Sequence, residues 1–199
     1  MHKIILAMQI RIKEVLQSSI SVKALVLADE HLLARIQEAT ELIVAAFRNK
    51  NKVLFCGNGG SAADAQHLAA EFSGRFYYDR EPLDAEALHV NSSYLTAVAN
   101  DYAYDEVYSR LVKAKGTKGD ILVALSTSGN SGNIIKAMKT AKAAGMKTIG
   151  FTGETGGEMK SISDILINIP STDTPRIQES HITVGHIICE LVESSLFPR

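Results

Sequence analysis

The chain has no tryptophan, only four prolines and only two cysteines in 199 residues. Two cysteines exclude a disulfide-built scaffold. Cys56 and Cys189 fall in a predicted strand and a predicted helix, and read as buried free thiols of a reducing compartment. So little proline, beside a hydrophobic fraction of 46%, excludes an extended or disordered chain. No charge dominates either: 21 Lys and Arg face 22 Asp and Glu, and the basic residues are scattered. That leaves no footprint for nucleic acid or an anionic membrane surface. No apolar run is long enough to span a bilayer. The opening M-H-K-I-I-L-A-M is apolar but runs straight into Arg11, Lys13 and Glu14, so it is neither a spanning segment nor a signal peptide. Met8 offers an alternative start to Met1, and the cytoplasm is the expected location.

What is present suits one domain with a sizeable core. Residues from about Met8 to Leu27 have a weak helical pattern loosened by Ser18, Ser19 and Ser21. Leu32, Leu33, Ile36, Leu42, Ile43, Ala46 and Phe47 then recur at firm helical spacing. Two helices are more cover than the first strand needs. Residues 1–50 are therefore expected to pack on the domain and on partner subunits, and 51–199 to form the ligand-binding part of one folded unit.

From Val53 the chain settles into a βα rhythm. Strands are expected at Val53–Cys56, Ala87–Val90, Asp120–Leu125, Lys147–Phe151 and Asp164–Ile169, and helices at Tyr94–Ala99, Tyr104–Ala114, Asn133–Ala144 and about Arg176–Leu196. Asn100-Asp101 reads as a helix break, Gly145 as a C′ glycine, and Thr152–Gly157 as a loop. The near-continuous apolar run D-I-L-V-A-L is that of a parallel strand covered on both faces. The fold class is α/β: a single doubly wound domain, a mainly parallel five-stranded sheet flanked by helices, with extra N-terminal helices. Ligands then belong at the carboxyl ends of the strands.

Two loops there invite anions. Gly57-Asn58-Gly59-Gly60 follows the first strand and leads into a helix with Ser61 as expected N-cap and Asp64 as the capping-box acid. Free backbone amides and the helix dipole favour negative charge at such a turn. The loop lacks both the G-x-G-x-x-G spacing and the G-K-[ST] ending, so dinucleotides and nucleoside triphosphates lose ground. Ser126-Thr127-Ser128-Gly129-Asn130-Ser131 follows the third strand and gathers hydroxyls, an amide and a glycine before another helix, with Ser131 or Asn133 as N-cap. An ordinary polar turn would look the same, but two such loops after parallel strands favour a phosphorylated ligand.

His67 and Glu71, at i, i+4, share one face of the helix after the glycine loop. A surface pair is the plain alternative. The neighbours Leu68, Ala69, Ala70 and Phe72 make the helix apolar, a setting in which a partly desolvated carboxylate can serve as a general base. The last helix carries Gln178, His181, His186 and Glu190 on an apolar background. His181 reads as a buried histidine with a hydrogen-bond partner.

Together, C-G-N-G-G-S with H-x-x-x-E, A-N-D, S-T-S-G-N-S, and R-I-Q-E-S-H followed by His186 resemble the sedoheptulose 7-phosphate isomerase (phosphoheptose isomerase) family of sugar isomerase (SIS) domains, over nearly the whole chain. The resemblance implies the SIS fold and conversion of sedoheptulose 7-phosphate to D-glycero-D-manno-heptose 7-phosphate. That is the first step toward activated heptose for lipopolysaccharide or a related glycan. It also implies a homotetramer with sites at subunit interfaces. By position it implies Glu71 and His186 as the acid/base pair, and His67, Glu71, Gln178 and His186 as zinc ligands. Substrate contacts would come from Asn58, Gly59, Gly60, Glu71, Asn100, Asp101, Ser126, Thr127, Ser128, Ser131 and Gln178. The same domain family includes a non-catalytic regulator that binds the bacterial replication initiator protein, and the C-terminal L-F-P resembles it; the acid/base residues at 71 and 186 favour the enzyme. A ligand-sensing domain without turnover is a third possibility. Eight helical residues separate the Cα atoms of Gln178 and His186 by about 12 Å and turn them roughly 80° apart. One ion joining both needs long reaches, a bend near Gly185 or two chains. The expectation is that His186 completes a neighbouring subunit's site.

Overall fold

A computed structural model describes residues 2–199, with side chains from residue 6 onward; Met1, one of the two candidate starts, lies outside them. Helix α1 (His2–Ala28) leads into α2 (Glu30–Arg48), where Asp29 caps the helix by accepting a hydrogen bond from the Leu32 amide at 3.0 Å. Strand β1 (Val53–Gly57) is followed by α3 (Gly60–Ser73), and the short β2 (Ala85–Ala87) by α4 (Ser92–Asp101). A 3₁₀ turn at Tyr104–Glu106 opens α5 (Val107–Lys115). Then come β3 (Ile121–Leu125), α6 (Gly132–Ala143), β4 (Lys147–Thr152), α7 (Met159–Ile162), β5 (Ile165–Asn168) and α8 (Thr174–Leu196).

The five strands are all parallel, in the order β2-β1-β3-β4-β5. Alternation along the strands sorts the core into two layers. Val53 and Phe55 of β1, with Ile121, Val123 and Leu125 of β3, point toward α2, α3 and α8. Leu54, Cys56, Leu122 and Ala124 point the other way, toward α4, α5 and α6. Every residue of β1 and β3 is buried, as parallel strands under helices on both faces must be. Val22, Leu32, Ile36 and Ile43 belong to the same apolar cluster as Phe55 and Phe151, so α1 and α2 are built onto the sheet's own core. Cys56 and Cys189 are buried free thiols, and burial pushes both thiols up.

Several sequence expectations shift. Helix α3 begins two residues early, at Gly60, with Gly59 (φ +55°) in place of Ser61 as the capping position. Ser61 is therefore buried inside the first turn, and Asp64 lies too far along the helix to close a capping box. Strand β2 precedes the apolar run that was expected to form it: the ladder pairs Val53 with Ala85 and Phe55 with Ala87. A three-residue edge strand carries too little alternation to be read. Asn100-Asp101 forms the last turn of α4 instead of breaking it. The stretch after Gly157 holds the one-turn helix α7, pinned by the fully buried Met159, whose amide donates to Gly129 O at 3.1 Å.

Candidate active site

The sheet order turns back between β1 and β3, and in open α/β sheets ligands bind outside the carboxyl ends at such a switch point. Gly57 and Leu125 are paired in the ladder there, so the 57–60 and 126–131 loops leave the sheet side by side. A reciprocal amide pair links them: Asn58 Nδ2 donates to Asn133 Oδ1, and Asn133 Nδ2 to Asn58 Oδ1, each at 2.9 Å. Tyr104 Oη donates to the same Asn58 oxygen at 3.1 Å, and Tyr108 Oη donates to Gly57 O. Asn133 is thus a buried strut within α6, not its N-cap. The sequence offered it only as a capping candidate, and Tyr104 and Tyr108 carried no signal.

The 126–131 loop holds its hydroxyls together. Ser126 and Ser131 Oγ lie 2.9 Å apart, and the Asn130 amide donates to Ser128 Oγ at 3.2 Å. Ser131 caps α6 without a side-chain bond to its amides, so that helix end keeps donor capacity for an anion. Gly129 (φ +67°) allows the fold-back, and a Cβ there would stand 2.2 Å from Gly156 O of the next loop. Thr127 and Ser128 line a polar cavity of about 300 Å³ with Gly153, Ser171 and Thr174. No Lys or Arg lies in either loop, so the donors the loops themselves offer an anion are neutral.

The second constellation lies on α3 and α8. Gly185 sits inside α8, and a Cβ there would stand 2.6 Å from both Leu68 methyl carbons, so the two helices touch at that point. The contact sets His186 against α3: its Nε2 is 3.0 Å from His67 Nε2, which is 3.1 Å from Glu71 Oε1. One ligand atom from each of the three lies within 4.8 Å of the others. The Glu71 side chain is half-buried and that of His67 more open. Burial first, then the neighbouring His67, lower the His186 imidazole below the ordinary histidine range, against the opposing pull of Glu71. Burial raises the Asp64 carboxyl one turn earlier, although His67 opposes it, and its Oδ2 has no hydrogen-bond partner.

The expectation that His186 completes another subunit's site therefore fails: His186 meets Glu71 and His67 of its own chain. The Gln178 side chain lies against Gly60, at the start of α3, while His186 stands about two helical turns along α8. Asn100 and Asp101 are exposed at the end of α4, bonded to each other at 3.0 Å. His181 is fully buried, with Nε2 3.0 Å from Thr152 O, and burial pushes it down to about 4 despite that bond.

Two imidazole nitrogens and a carboxylate oxygen within 4.8 Å of one another are a donor set that suits a borderline-soft divalent ion such as zinc, with a coordination position left for another ligand. Without an ion, the two facing ring nitrogens must share one proton.

Comparison with known proteins agrees with this geometry. The SIS domain family matches residues 21–153. A phosphoheptose isomerase from Aneurinibacillus thermoaerophilus is 52% identical over 186 residues, 94% of each chain. The solved phosphoheptose isomerase from Neisseria gonorrhoeae superposes with a TM-score of 0.89 at 42% identity, covering 94% of this chain and 99% of its own. One from Francisella tularensis superposes equally well, with a TM-score of 0.89 at 34% identity, covering 92% of this chain and 97% of its own.

Proposed function

The chain belongs to the phosphoheptose isomerases of the SIS-domain family, and we infer from this that it converts sedoheptulose 7-phosphate to D-glycero-D-manno-heptose 7-phosphate. The reaction moves a proton between neighbouring carbons through an enediol, so it needs one base at carbon and one acid/base at oxygen. Glu71, half-buried on α3, takes the carbon proton. His186, neutral at physiological pH, exchanges the proton at oxygen. His67, whose Nε2 lies 3.0 Å from His186 and 3.1 Å from Glu71, orients them. The phosphate is held by the hydroxyls of Ser126, Thr127, Ser128 and Ser131 and by the first turn of α6. The sugar lies along Asn58–Gly60, within reach of Asn100, Asp101 and Gln178.

The observation that carries this assignment is the His67–Glu71–His186 group, held within 4.8 Å where α8 meets the helix that leaves the glycine loop. It supplies the acid/base pair that the regulator and ligand-sensor alternatives do not require. His67, Glu71 and His186 would hold the zinc ion, with Gln178, whose side chain lies against Gly60, as the proposed fourth donor. When bound, the ion polarises the substrate carbonyl and stabilises the enediolate charge.

Association into the expected homotetramer is supported by the outer side of α1, where Met8, Ile12, Leu16, Ile20 and Leu27 are exposed. Buried free thiols support a cytoplasmic location, and among the described residues no helix is long and apolar enough to cross a membrane. The product is the entry to activated heptose for lipopolysaccharide or a related glycan. Incubating purified protein with sedoheptulose 7-phosphate, with and without chelator, and following aldose formation tests the assignment. Turnover supports it; none from a folded, metal-loaded sample promotes the regulator.

A further inference from the structure

We propose that Arg80 and Glu193, which the site does not contain, are positioning residues that set Glu71 opposite His186; the proposal rests on the isomerase assignment above. Their side chains are 2% and 1% exposed, the most buried ion pair among the described residues. Arg80 Nε donates to Glu193 Oε1 at 3.1 Å. Its other nitrogens donate to the carbonyls that end α3: those of Phe72 at 2.8 Å, Gly74 at 2.9 Å and Glu71 itself at 2.8 Å. Those are the carbonyls a helix end leaves unsatisfied, and a cation there also complements the helix dipole.

Glu193 works from the opposite side. It lies seven residues beyond His186, on the same face of α8 about two turns along. Its two oxygens accept the Phe76 and Tyr77 amides at 2.9 and 2.8 Å. The Phe76 ring then lies 5.6 Å from the His186 ring. One charge pair therefore ties the end of α3, the chain leaving it and the helix bearing His186. With the Gly185–Leu68 contact, it fixes the sliding offset of the two helices.

Stability alone does not call for charges here. Burying two charges is costly, so the ion pair by itself is weak evidence of stabilisation; what it adds is the backbone groups it satisfies. What the pair supplies is direction: it makes one axial offset of α3 on α8 satisfy every donor and acceptor. Neither residue reaches the reacting atoms, so both act through Glu71 and His186.

The test uses the full-length protein with Glu193→Gln, Glu193→Asp and Arg80→Ala. Folding is checked by melting. The readouts are kcat and KM with sedoheptulose 7-phosphate, Co²⁺ affinity by its visible spectrum, and ¹⁵N signals of the His67 and His186 rings. Glu193→Gln is expected to lower kcat and Co²⁺ affinity by roughly 10- to 100-fold, as outer-shell changes do, with KM nearly unchanged. Glu193→Asp, which keeps the charge, should lose less in the same parameters. Arg80→Ala should regain part of its kcat with millimolar guanidinium ion. A folded Glu193→Gln with unchanged kcat, Co²⁺ affinity and ring signals would overturn the proposal, as would a kcat loss matched by a KM rise. Unfolding of all three variants would overturn it too, by making the pair a determinant of the fold. A wild type that binds Co²⁺ but turns nothing over sinks the isomerase assignment alone; the Co²⁺ and ring signals still decide the clamp.

Discussion

The molecule meets its ligand with two regions built on opposite principles. The 57–60 and 126–131 loops use hydroxyls, amides and a helix end, with no cationic side chain and every visible strut neutral. The α3–α8 pair, on the far side of the glycine loop, gathers two imidazoles and a carboxylate and is anchored by a buried charge pair. A neutral cradle holds a phosphate without changing any protonation state, so it contributes to binding at every pH where the phosphate is charged. A charged cluster holds little but moves protons. Binding and chemistry are thereby separated along α3, and changes in the two regions should separate in KM and kcat.

The largest break should come from the cluster. Glu71→Gln is expected to lower kcat about a thousandfold with KM little altered, since one acid/base group contributes about 10²–10⁴. His186→Gln should cost on the order of a hundredfold, measured the same way across pH. Chelation should follow at a similar size, with activity restored by Zn²⁺ and with KM for the phosphate end unmoved.

The loops should respond in the other constant. Ser126→Ala or Ser131→Ala removes a hydrogen bond to a charged group, about 1.5 kcal/mol, which is about a tenfold rise in KM. A fall in kcat of that size without a KM change would erase the contrast between the regions. Asn133→Ala strands the Asn58 amide and should destabilise the protein by about 1–3 kcal/mol, read from denaturant midpoints, while raising KM severalfold.

The effects least tied to catalysis lie outside both regions, in acid stability. Burial raises the Asp120 carboxyl, but Lys52, the Lys52 and Thr117 amides and the Thr117 hydroxyl outweigh it and hold it at about 2. A depressed carboxyl contributes above its unfolded value of 3.8, and that contribution, about 2 kcal/mol, disappears as pH falls from 3.8 through about 2. His181, pushed down to about 4, binds its proton more readily unfolded, so stability also falls from about pH 6.5 to about 4. Melting curves at stepped pH should show both windows, the lower one lost in Asp120→Asn and the upper one in His181→Gln.

How much of this was legible in the sequence follows the range of each interaction. Helical spacing is local, so His67 and Glu71 announced themselves, as did the buried runs of β1 and β3 and the hydroxyl loop. His181 read as buried because its neighbours are apolar. The partner of Glu71 is a different matter: no local pattern states where one helix stops against another. That offset depends on Gly185 meeting Leu68 and on Arg80, in a segment without periodicity, reaching Glu193. The spacing along α8 suggested that His186 would meet another chain, whereas it meets Glu71 and His67 of its own.

The account rests on Glu71 as the residue that moves the carbon proton. Wild type and Glu71→Gln can be compared with sedoheptulose 7-phosphate in D₂O, with ligand affinity measured by calorimetry and deuterium at the product's second carbon by NMR. The account predicts aldose carrying solvent deuterium from the wild type, and from Glu71→Gln near-normal affinity with turnover and exchange reduced about a thousandfold. Undiminished exchange in Glu71→Gln would contradict it.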